Sequence, residues 1–316
     1  MKLDKAFPST LVWTGQHFSK ELKDIFFEGL SIKKPDYDLG VTELGEMIDK
    51  LIPILRKEKP DYVIVYGDTR STLAGALACL HENIKLVHIE AGCRSYNDNQ
   101  IEERIRKVVD EIACIHFAPS QNTADYLSDR GKQYVMNVGA AQIDAMWKTF
   151  PTKRPKDAFK YYVCTIHRAE TIQAENKLTS IFEALNESGV PIRLYLHPHT
   201  EKMIKKYGIK INDTITIKKP IGYKKMINEI AFANKVITDS GGLQVEAFFL
   251  RRPCVTLREE TEWKETVELN WNRLVGYDKT KILSAINETN VKRTGLNDVY
   301  GYGKTNDKIR LTLQGL

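Results

Sequence analysis

Short apolar runs alternate with longer amphipathic segments along most of the chain. The run Tyr62–Tyr66 (YVIVY) follows a segment with helical spacing, Glu43–Lys57, and precedes an Ala- and Leu-rich segment, Thr72–His81. A short, continuous, β-branched run is typical of a parallel strand buried on both faces. The alternation of such strands with helices therefore predicts an α/β fold with a parallel sheet covered on both sides.

The same alternation begins again after a polar segment, 150–159, that is rich in Pro and Lys. Tyr161–Thr165 and Ile192–Leu196 are the first two strands predicted beyond it. We therefore predict two doubly wound, Rossmann-like domains that face a cleft. The boundaries expected are 1–150 for the first domain, 151–302 for the second, and 303–316 for a C-terminal helix.

The most informative segment is 235–257, which reads KVITDSGGLQVEAFFLRRPCVTL. A β-branched strand is followed there by Ser240, Gly241 and Gly242, and then by helical spacing. The N–H groups and dipole of a helix N-terminus favour a bound phosphate. Glu246 lies about one turn into this helix, where a carboxylate can accept hydrogen bonds from both hydroxyls of a ribose. Taken alone, an ordinary strand-to-helix turn remains the better interpretation.

Composition narrows the class of protein. The formal net charge of +6 suits an anionic ligand, but the lysines are scattered, so nucleic acid is not implied. No stretch is long and apolar enough to span a membrane, and no signal-peptide pattern is present, which predicts a cytoplasmic protein without a membrane partner. The cysteines form no CxxC pair and are expected to be buried, reduced thiols, at positions Cys79, Cys93, Cys114, Cys164 and Cys254.

Two carboxylates, Asp68 and Glu90, each stand just after a predicted strand. Ligands of doubly wound sheets lie beyond the carboxyl ends of the strands, and paired carboxylates there suit acid/base chemistry. Glu102 and Arg106 share one face of a nearby predicted helix. Singly, each feature has a simpler interpretation, a helix cap for Asp68 and a surface ion pair for Glu102 with Arg106.

Histidines follow two strands of the second half. His167 comes after the strand YYVCT, and His197 and His199 come after RLYL. No HExxH or Cys/His spacing supports zinc, so we predict no metal and expect these side chains to contact phosphates. His88 lies within a strand, and for it and His116 a structural role is expected.

Taken together and in order, the motifs resemble one family. They are GDTRSTLAGALA (67–78), HIEAGCRS (88–95), EExxR (102–106), HRAE (167–170), LHPHT (196–200), TDSGGLQVEA (238–247) and LREETEWKETVE (257–268). The set resembles the non-hydrolysing UDP-N-acetylglucosamine 2-epimerases, from about Leu11 to about Ile309. The resemblance implies an isomerase with the two-domain GT-B fold and a UDP-sugar between its domains. It also implies inversion at C2 by elimination and re-addition of UDP, no metal or nicotinamide cofactor, and a homodimer.

Residue by residue, the resemblance implies roles for the motif positions. Asp68, Glu90 and Glu102 would be the acid/base carboxylates, although which is acid and which is base stays open. Arg106 and His167 would stabilise the departing diphosphate. Substrate-binding roles are implied for Arg94, His199, Ser240, Gly241, Gly242, Glu246 and Arg258, with the Ser-Gly-Gly turn on phosphate and Glu246 on ribose.

Some motifs resemble one branch of this family more than the others. Thr261-Glu262-Trp263 and the segment RRPCVTLR are similar to epimerases of UDP-2,3-diacetamido-2,3-dideoxy-glucuronate, which serve lipopolysaccharide synthesis. An acidic sugar needs an additional cation, for which Arg70, Arg94 and Arg258 are the candidates. Both this nucleotide sugar and UDP-GlcNAc remain open as substrates.

The start of the chain differs from the family. The family begins with a strand and a Gly-Arg-Pro loop, whereas MKLDKAF corresponds to the end of the helix after that loop. We therefore expect an N-terminally truncated chain. Three alternatives stay open: a hydrolysing 2-epimerase, a glycosyltransferase of the same fold, and an inactive nucleotide-sugar-binding remnant.

Overall fold

The computed structural model describes residues 7–15, 33–150, 153–289, 291–295 and 299–315. The chain divides into two compact units. Unit 1 comprises Met1–Lys148 and Asp298–Leu316, and unit 2 comprises Thr149–Asn297. The helix expected at the start of the chain, 1–7, lies outside the described residues except for Phe7.

Unit 1 contains two parallel sheets. A two-stranded sheet pairs β1 (Val12–Trp13) with β2 (Tyr37–Asp38). The second sheet has the order β3-β4-β5-β6, and its strands are β3 (Tyr62–Tyr66), β4 (Lys85–Ile89), β5 (Ile115–Ala118) and β6 (Val135–Asn137). The helices of this part are α1 (Leu44–Glu58), α2 (Arg70–Glu82), α3 (Ile101–Ile112), α4 (Gln121–Ser128) and α5 (Ala141–Thr149).

The turn from β3 into α2 shows how local sequence places a site residue. Thr69 is the N-cap of α2, and its side chain accepts a hydrogen bond from the backbone N–H of Thr72. The Thr72 side chain reaches back to the backbone N–H of Thr69 and to the Tyr66 carbonyl oxygen, which completes a capping box. The helix cap is therefore Thr69 and not Asp68, so the Asp68 carboxylate is not used to begin the helix.

Unit 2 is built on one six-stranded parallel sheet with the order β12-β11-β10-β7-β8-β9. Its strands are β7 (Tyr162–Thr165), β8 (Ile192–Tyr195), β9 (Ile215–Lys218), β10 (Val236–Thr238), β11 (Cys254–Thr256) and β12 (Asn272–Leu274). Its helices are α6 (Ala169–Ile172), α7 (Glu175–Glu187), α8 (Pro198–Lys206), α9 (Tyr223–Ala231), α10 (Gly241–Phe249), α11 (Lys264–Glu268) and α12 (Lys279–Asn287). This is the strand order of a dinucleotide-binding Rossmann sheet, which reverses between β7 and β10.

Both faces of the unit 2 sheet are buried, since Val236 and Ile237 of β10 point to opposite faces and are both 0% exposed. Phe182 and Leu185 of α7 and Ile282 and Ile286 of α12 belong to one core cluster of buried residues that also includes Ile237 of β10. Burial of strands on both faces explains why these strands read as continuous apolar runs instead of alternating ones. The predicted α/β class with two Rossmann-like domains is therefore confirmed.

The last helix, α13 (Thr305–Gln314), belongs to unit 1. Its first backbone N–H groups, those of Thr305 and Asn306, donate to the two carboxylate oxygens of Asp144 at 3.1 and 2.8 Å. Ile309 is fully buried against the sheet of unit 1, next to Phe117. The chain thus returns to its first unit after completing the second.

Two further sequence-based expectations can be compared with the fold. Four of the five cysteines are buried, Cys114 is exposed, and all five are free thiols. Within the described ranges, no helix is long and apolar enough to cross a membrane.

Candidate functional site

In unit 1, the candidate residues follow the carboxyl ends of β3 and β4. Tyr66 and Ile89 pair at the ends of these strands, so Asp68 and Glu90 leave the sheet at the same edge. Gly67 adopts a left-handed backbone (φ +66°), which lets the chain turn sharply before Asp68. A Cβ on Gly67 would lie 4.0 Å from Oε1 of Glu90, which shows how near that carboxylate is to the turn.

Arg106 holds the Asp68 carboxylate. Its guanidinium is 3% exposed, donates to Oδ2 of Asp68, and donates to Oε2 of Glu103 at 3.2 Å. Glu103 is fully buried and also accepts from the Ser95 backbone N–H at 2.8 Å. The simpler interpretation of a surface ion pair between Arg106 and Glu102 is therefore wrong, because the partner on the buried side of α3 is the neighbouring Glu103.

Glu102 differs from Glu103 in its surroundings. It lies in the first turn of α3 and is partly exposed. Among the residues that the structure describes, Glu102 makes no ion pair or hydrogen bond through its side chain. Its carboxylate is therefore available to a substrate, whereas that of Glu103 is committed to Arg106 and Ser95.

Glu90 has an unusual backbone. Its φ of +73° lies in the left-handed region, which costs a non-glycine residue about 1–3 kcal/mol. The N–H groups of Glu90 and Ala91 both donate to the Phe117 carbonyl oxygen, at 3.0 and 3.1 Å, which holds this conformation. Backbone strain of this kind is concentrated at functional sites.

The sequence analysis did not single out Tyr66, which stands beside both carboxylates. The residue is 45% exposed, and its hydroxyl donates to Oε1 of Gln142 at 2.6 Å. The pKa of the Tyr66 phenol lies well above its usual range, because its hydroxyl is withdrawn from water and because the carboxylates of Glu90 and Asp68 are close. The sequence feature that could have identified Tyr66 as a site residue is its position directly before the Gly-Asp turn.

Arg94 does not fit its predicted contact with an acidic sugar. Its side chain is only 5% exposed, and it donates to Oδ2 of Asp110 at 2.6 Å, to the Cys93 carbonyl at 2.7 Å, and to the Tyr126 hydroxyl at 3.1 Å. All three nitrogens of Arg94 are therefore hydrogen-bonded inside unit 1.

In unit 2, His167 follows β7 and Asp239 follows β10, at the point where the strand order reverses. Asp239 is fully buried, and its Oδ2 accepts from the backbone N–H groups of His167 and Arg168 at 2.9 and 2.8 Å. Thr165 and Thr238, which end the two strands, are joined through their hydroxyls at 2.7 Å. These bonds fix the start of the His167 loop against the start of the Ser-Gly-Gly turn.

The other two candidate histidines lie at the start of α8. The backbone N–H of His199 donates to Nδ1 of His197 at 3.3 Å, so His197 caps this helix. Burial and the charges of His167 and His199 lower the pKa of His197. Among the described residues, no group of three or more His, Cys, Asp or Glu side chains is arranged to hold a metal ion.

The Ser-Gly-Gly turn forms the N-terminus of α10. Ser240 is the N-cap, and its hydroxyl accepts from the Leu243 backbone N–H at 3.5 Å. A Cβ on Gly241 would lie 2.2 Å from Oε1 of Glu262, whereas a Cβ on Gly242 would meet no atom within 4 Å. Only Gly241 is therefore required by close packing, and the space beside Gly242 is open.

Arg258 lies beneath this turn. Its side chain is 1% exposed, and a guanidinium nitrogen lies 3.0 Å from Oε2 of Glu262. The predicted role of Arg258 in binding an acidic sugar does not fit this burial. The buried pair instead supports the backbone at Gly241, against which Glu262 packs.

Glu246 lies in α10 and is 7% exposed. Burial raises the pKa of its carboxyl to about 7, against the opposing effect of a hydrogen bond with Tyr223. The pKa of the Tyr223 phenol is raised in turn by burial and by the Glu246 charge. A buried carboxylate one turn into a helix is suited to accept hydrogen bonds from a diol.

Together these features define a class of protein. Two Rossmann-like units, one with carboxylates at the carboxyl edge of its sheet and one with a Ser-Gly-Gly turn at a helix N-terminus, are the parts of the GT-B fold. The chain matches the family model of UDP-N-acetylglucosamine 2-epimerases over residues 1–314. It belongs to this family.

Individual relatives agree with the family model. A UDP-N-acetylglucosamine 2-epimerase homolog of Methanococcus maripaludis is 39% identical over 336 residues, which cover 100% of this chain and 94% of the relative. The UDP-2,3-diacetamido-2,3-dideoxy-D-glucuronate 2-epimerase of Pseudomonas aeruginosa is 39% identical over 320 residues, which cover 95% of this chain and 89% of that relative.

A solved structure shows the same similarity. The UDP-GlcNAc 2-epimerase of Methanocaldococcus jannaschii, crystallised with UDP-GlcNAc and UDP, superposes with a TM-score of 0.87 at 33% identity. The superposition covers 96% of this chain and 91% of that chain.

Proposed function

We propose that this protein is an isomerase that inverts C2 of a UDP-sugar by eliminating UDP and adding it back. A base removes the proton from C2 while the C1–O bond to UDP breaks, which leaves a glycal and free UDP. The UDP oxygen then bonds to C1, and a proton is delivered to C2 on the opposite face. The atoms and electrons of this reaction balance without an oxidant, a reductant or a metal.

The observation that carries the proposal is the edge of unit 1 where Asp68, Glu90 and Tyr66 meet. Proton removal and return on two faces of C2 need two groups that exchange protons near neutral pH. The strained backbone of Glu90 and the bond between Arg106 and the Asp68 carboxylate support the proposal that these two carboxylates do so. Glu102, whose carboxylate is available, is the third member of the proposed set.

Unit 2 contains the groups proposed for the nucleotide. The N–H groups of Gly241 and Gly242 begin α10 and suit the diphosphate, with the Ser240 hydroxyl beside them. Glu246 is proposed to bind the ribose. His167 is proposed to stabilise the departing oxyanion together with Arg106 of unit 1, and His199 to contact the same diphosphate.

The buried arginines are given a different role. We propose that Arg94, held by Asp110, orients the loop after β4, and that Arg258, held by Glu262, supports the Gly241 turn. Neither guanidinium is proposed to touch substrate, because both side chains are at most 5% exposed.

The substrate is proposed to be UDP-GlcNAc, with the diacetamido-glucuronate nucleotide as second candidate. The second candidate is favoured by the 39% identical Pseudomonas aeruginosa relative and by the position of Arg70. Arg70 is exposed at the first position of α2, two residues after Asp68, and has no ion pair within the described ranges. Of the three arginines considered for an acidic sugar, it is the one whose charge is available.

Product analysis tests the proposal. The purified full chain is incubated with UDP-GlcNAc, and the sugar products are identified by proton NMR, with Asp68→Asn as control. A mixture of the two C2 epimers, both still joined to UDP, is expected from the wild type only. Free UDP and free sugar in equal amounts would instead identify a hydrolysing 2-epimerase, and UDP binding without any product would identify an inactive remnant.

The family resemblance also supports a cytoplasmic homodimer as a prediction. Light scattering on the eluted peak from size exclusion tests the dimer, for which a mass twice that of the 36.2 kDa chain is expected. A peak with the mass of one chain would contradict it.

A further inference from the structure

A cluster of buried charged side chains lies behind the two turns that carry Asp68 and Glu90. His88, Asp110 and Arg94 are 0%, 1% and 5% exposed. Nδ1 of His88 lies 2.6 Å from Oδ1 of Asp110, and Arg94 donates to Oδ2 of the same carboxylate at 2.6 Å. The backbone N–H of Gly92 also donates to Oδ2, at 3.1 Å.

The partners of this cluster determine its protonation. Oδ2 of Asp110 accepts hydrogen bonds from Arg94 and from the Gly92 backbone N–H, and a charged donor favours the ionised carboxylate over the protonated one. Burial would raise the pKa of Asp110, but the hydrogen bond and charge of His88 and the charge of Arg94 hold it below its usual value. Nδ1 of His88 therefore carries a proton that it donates to Asp110.

The second ring nitrogen of His88 also faces an acceptor. Nε2 lies 2.9 Å from the carbonyl oxygen of Gly67, which has no proton to give. If Nε2 lacked a proton, two lone pairs would face each other in a buried site. Both nitrogens of His88 thus donate, and the ring is an imidazolium between a carboxylate and a carbonyl.

The bonds of this imidazolium reach the turns on both sides. Gly67 is the residue before Asp68, and its N–H donates to the Ile89 carbonyl at 3.0 Å while its own carbonyl accepts from His88. Gly92, two residues after Glu90, is bonded to Asp110. One charged pair therefore connects the turn after β3 to the turn after β4.

We propose that His88 and Asp110 form a buried imidazolium–carboxylate clamp that sets the position of Asp68 relative to Glu90 during catalysis. The inference rests on the proposed function, since it assigns these two as positioning residues for the proposed acid/base carboxylates. Neither side chain touches substrate. A misplacement of about 1 Å between reacting groups can lower a rate by about a hundredfold, so the clamp acts on turnover and not on nucleotide binding.

His116 provides a matched control. It pairs in register with His88 on the neighbouring strand β5, is 2% exposed, and donates through Nε2 to the backbone carbonyl of Asp110 at 2.9 Å. It is thus a second buried histidine of the same sheet with a bond to the same residue. Its bonds reach neither the Gly67 turn nor the Glu90 turn.

The protonation of His88 is tested by an experiment that does not depend on enzyme activity. The full chain, labelled with ¹⁵N-histidine, is measured by NMR at about pH 7.5, and the His88 signals are identified by their loss in His88→Gln. The clamp predicts that both ring nitrogens of His88 carry protons. A single protonated nitrogen would overturn the proposal.

The positioning role is tested by kinetics with the UDP-sugar that the wild type epimerises. His88→Gln and Asp110→Asn are expected to lower kcat by at least about tenfold while KM and the Kd for UDP stay within about twofold. His116→Gln is expected to leave kcat within about twofold. Unchanged kcat in the first two variants, or an equal loss in His116→Gln, would overturn the clamp.

The two proposals fail in different ways. A wild-type chain that epimerises no UDP-sugar contradicts the proposed function, whereas its NMR spectrum still reports whether His88 is an imidazolium. If the His88 and Asp110 variants do not fold, the His88 signals are identified by backbone assignment of the wild type, whose spectrum then decides the protonation on which the clamp depends.

Discussion

Asp239 binds the His167 backbone with one carboxylate oxygen and faces the His167 ring with the other. Oδ2 accepts from the His167 backbone N–H at 2.9 Å, and Oδ1 lies 3.2 Å from Nδ1 of the His167 ring. The carboxylate is fully buried, whereas the His167 side chain is 44% exposed. We propose that the buried carboxylate favours the His167 tautomer with its proton on Nδ1, which leaves Nε2 for a ligand.

Asp239→Asn is therefore expected to lower kcat by at least about tenfold, because the amide keeps a carbonyl for the backbone but not the charge that orients the ring. The Kd for UDP, measured by calorimetry, is expected to rise less than kcat falls. The reference variant is His197→Asn, which alters a histidine at the neighbouring strand end. A loss of kcat in His197→Asn equal to that in Asp239→Asn would contradict the orienting role.

The two glycines of the α10 turn are expected to respond differently to the same change. A methyl group at Gly241 would lie 2.2 Å from Glu262 Oε1, so Gly241→Ala must displace the Arg258–Glu262 pair or the turn itself. Gly242→Ala adds the same methyl group in open space. We expect Gly241→Ala to weaken UDP binding by at least about tenfold and Gly242→Ala to do so by less.

Calorimetric titration of both variants with UDP checks this expectation. Equal losses of affinity would show that the methyl group acts on the ligand and not through Glu262. The melting temperature separates the two effects further, since only Gly241→Ala is expected to lower it.

Glu246 predicts a dependence of stability on pH. Its pKa in the folded chain is about 7, above the usual 4.5, so the folded state binds more protons than the unfolded state between these values. Stability from this group is therefore present below about pH 4.5 and is lost as the pH rises to about 7. The difference amounts to about 3 kcal/mol at most.

Glu246→Gln removes this titration. At about pH 8 the variant is expected to have a higher melting temperature than the wild type in the absence of ligand. At about pH 5 the two melting temperatures are expected to be similar. A gain of the same size at both pH values would contradict the raised pKa. The variant is also expected to bind UDP more weakly, because an amide accepts fewer hydrogen bonds from the ribose.

Arg70 separates the two candidate substrates. If its charge contacts the carboxylate of an acidic sugar, Arg70→Ala is expected to lower kcat/KM for the diacetamido-glucuronate nucleotide by at least about tenfold, with little change for UDP-GlcNAc. Arg70→Lys keeps the charge and is expected to retain part of the activity. Equal loss with both nucleotides would remove Arg70 from substrate selection.

Much of the fold could be predicted because its strands are buried on both faces. The run of β10 is buried throughout, and that of β3 is continuously apolar although Ile64 and Tyr66 are exposed. Both runs can be recognised from local sequence alone. The turns after these strands were also visible, since Gly67 and the Ser-Gly-Gly segment interrupt the apolar pattern. The sheet order that brings β7 beside β10 depends on long-range pairing, which no local pattern records.

The site was harder to predict where a charged side chain pairs with a residue that is distant in the sequence or hidden by helix packing. Arg94 and Arg258 looked like ligand-binding cations, but both are buried beside carboxylates, those of Asp110 and Glu262. Glu102 and Glu103 are adjacent, and only the packing of α3 shows that Glu103 is the one bonded to Arg106. Tyr66 was missed because an aromatic residue in a strand usually belongs to the core.

The central claim is that C2 loses and regains a proton at the edge that carries Asp68 and Glu90. Proton NMR of the full chain with UDP-GlcNAc in D₂O, repeated with the diacetamido-glucuronate nucleotide, tests it most directly. Deuterium at C2 of both epimers, still joined to UDP, is the expected result for whichever nucleotide is the substrate. Epimers that keep their original C2 proton, or no exchange with either nucleotide, would contradict the account.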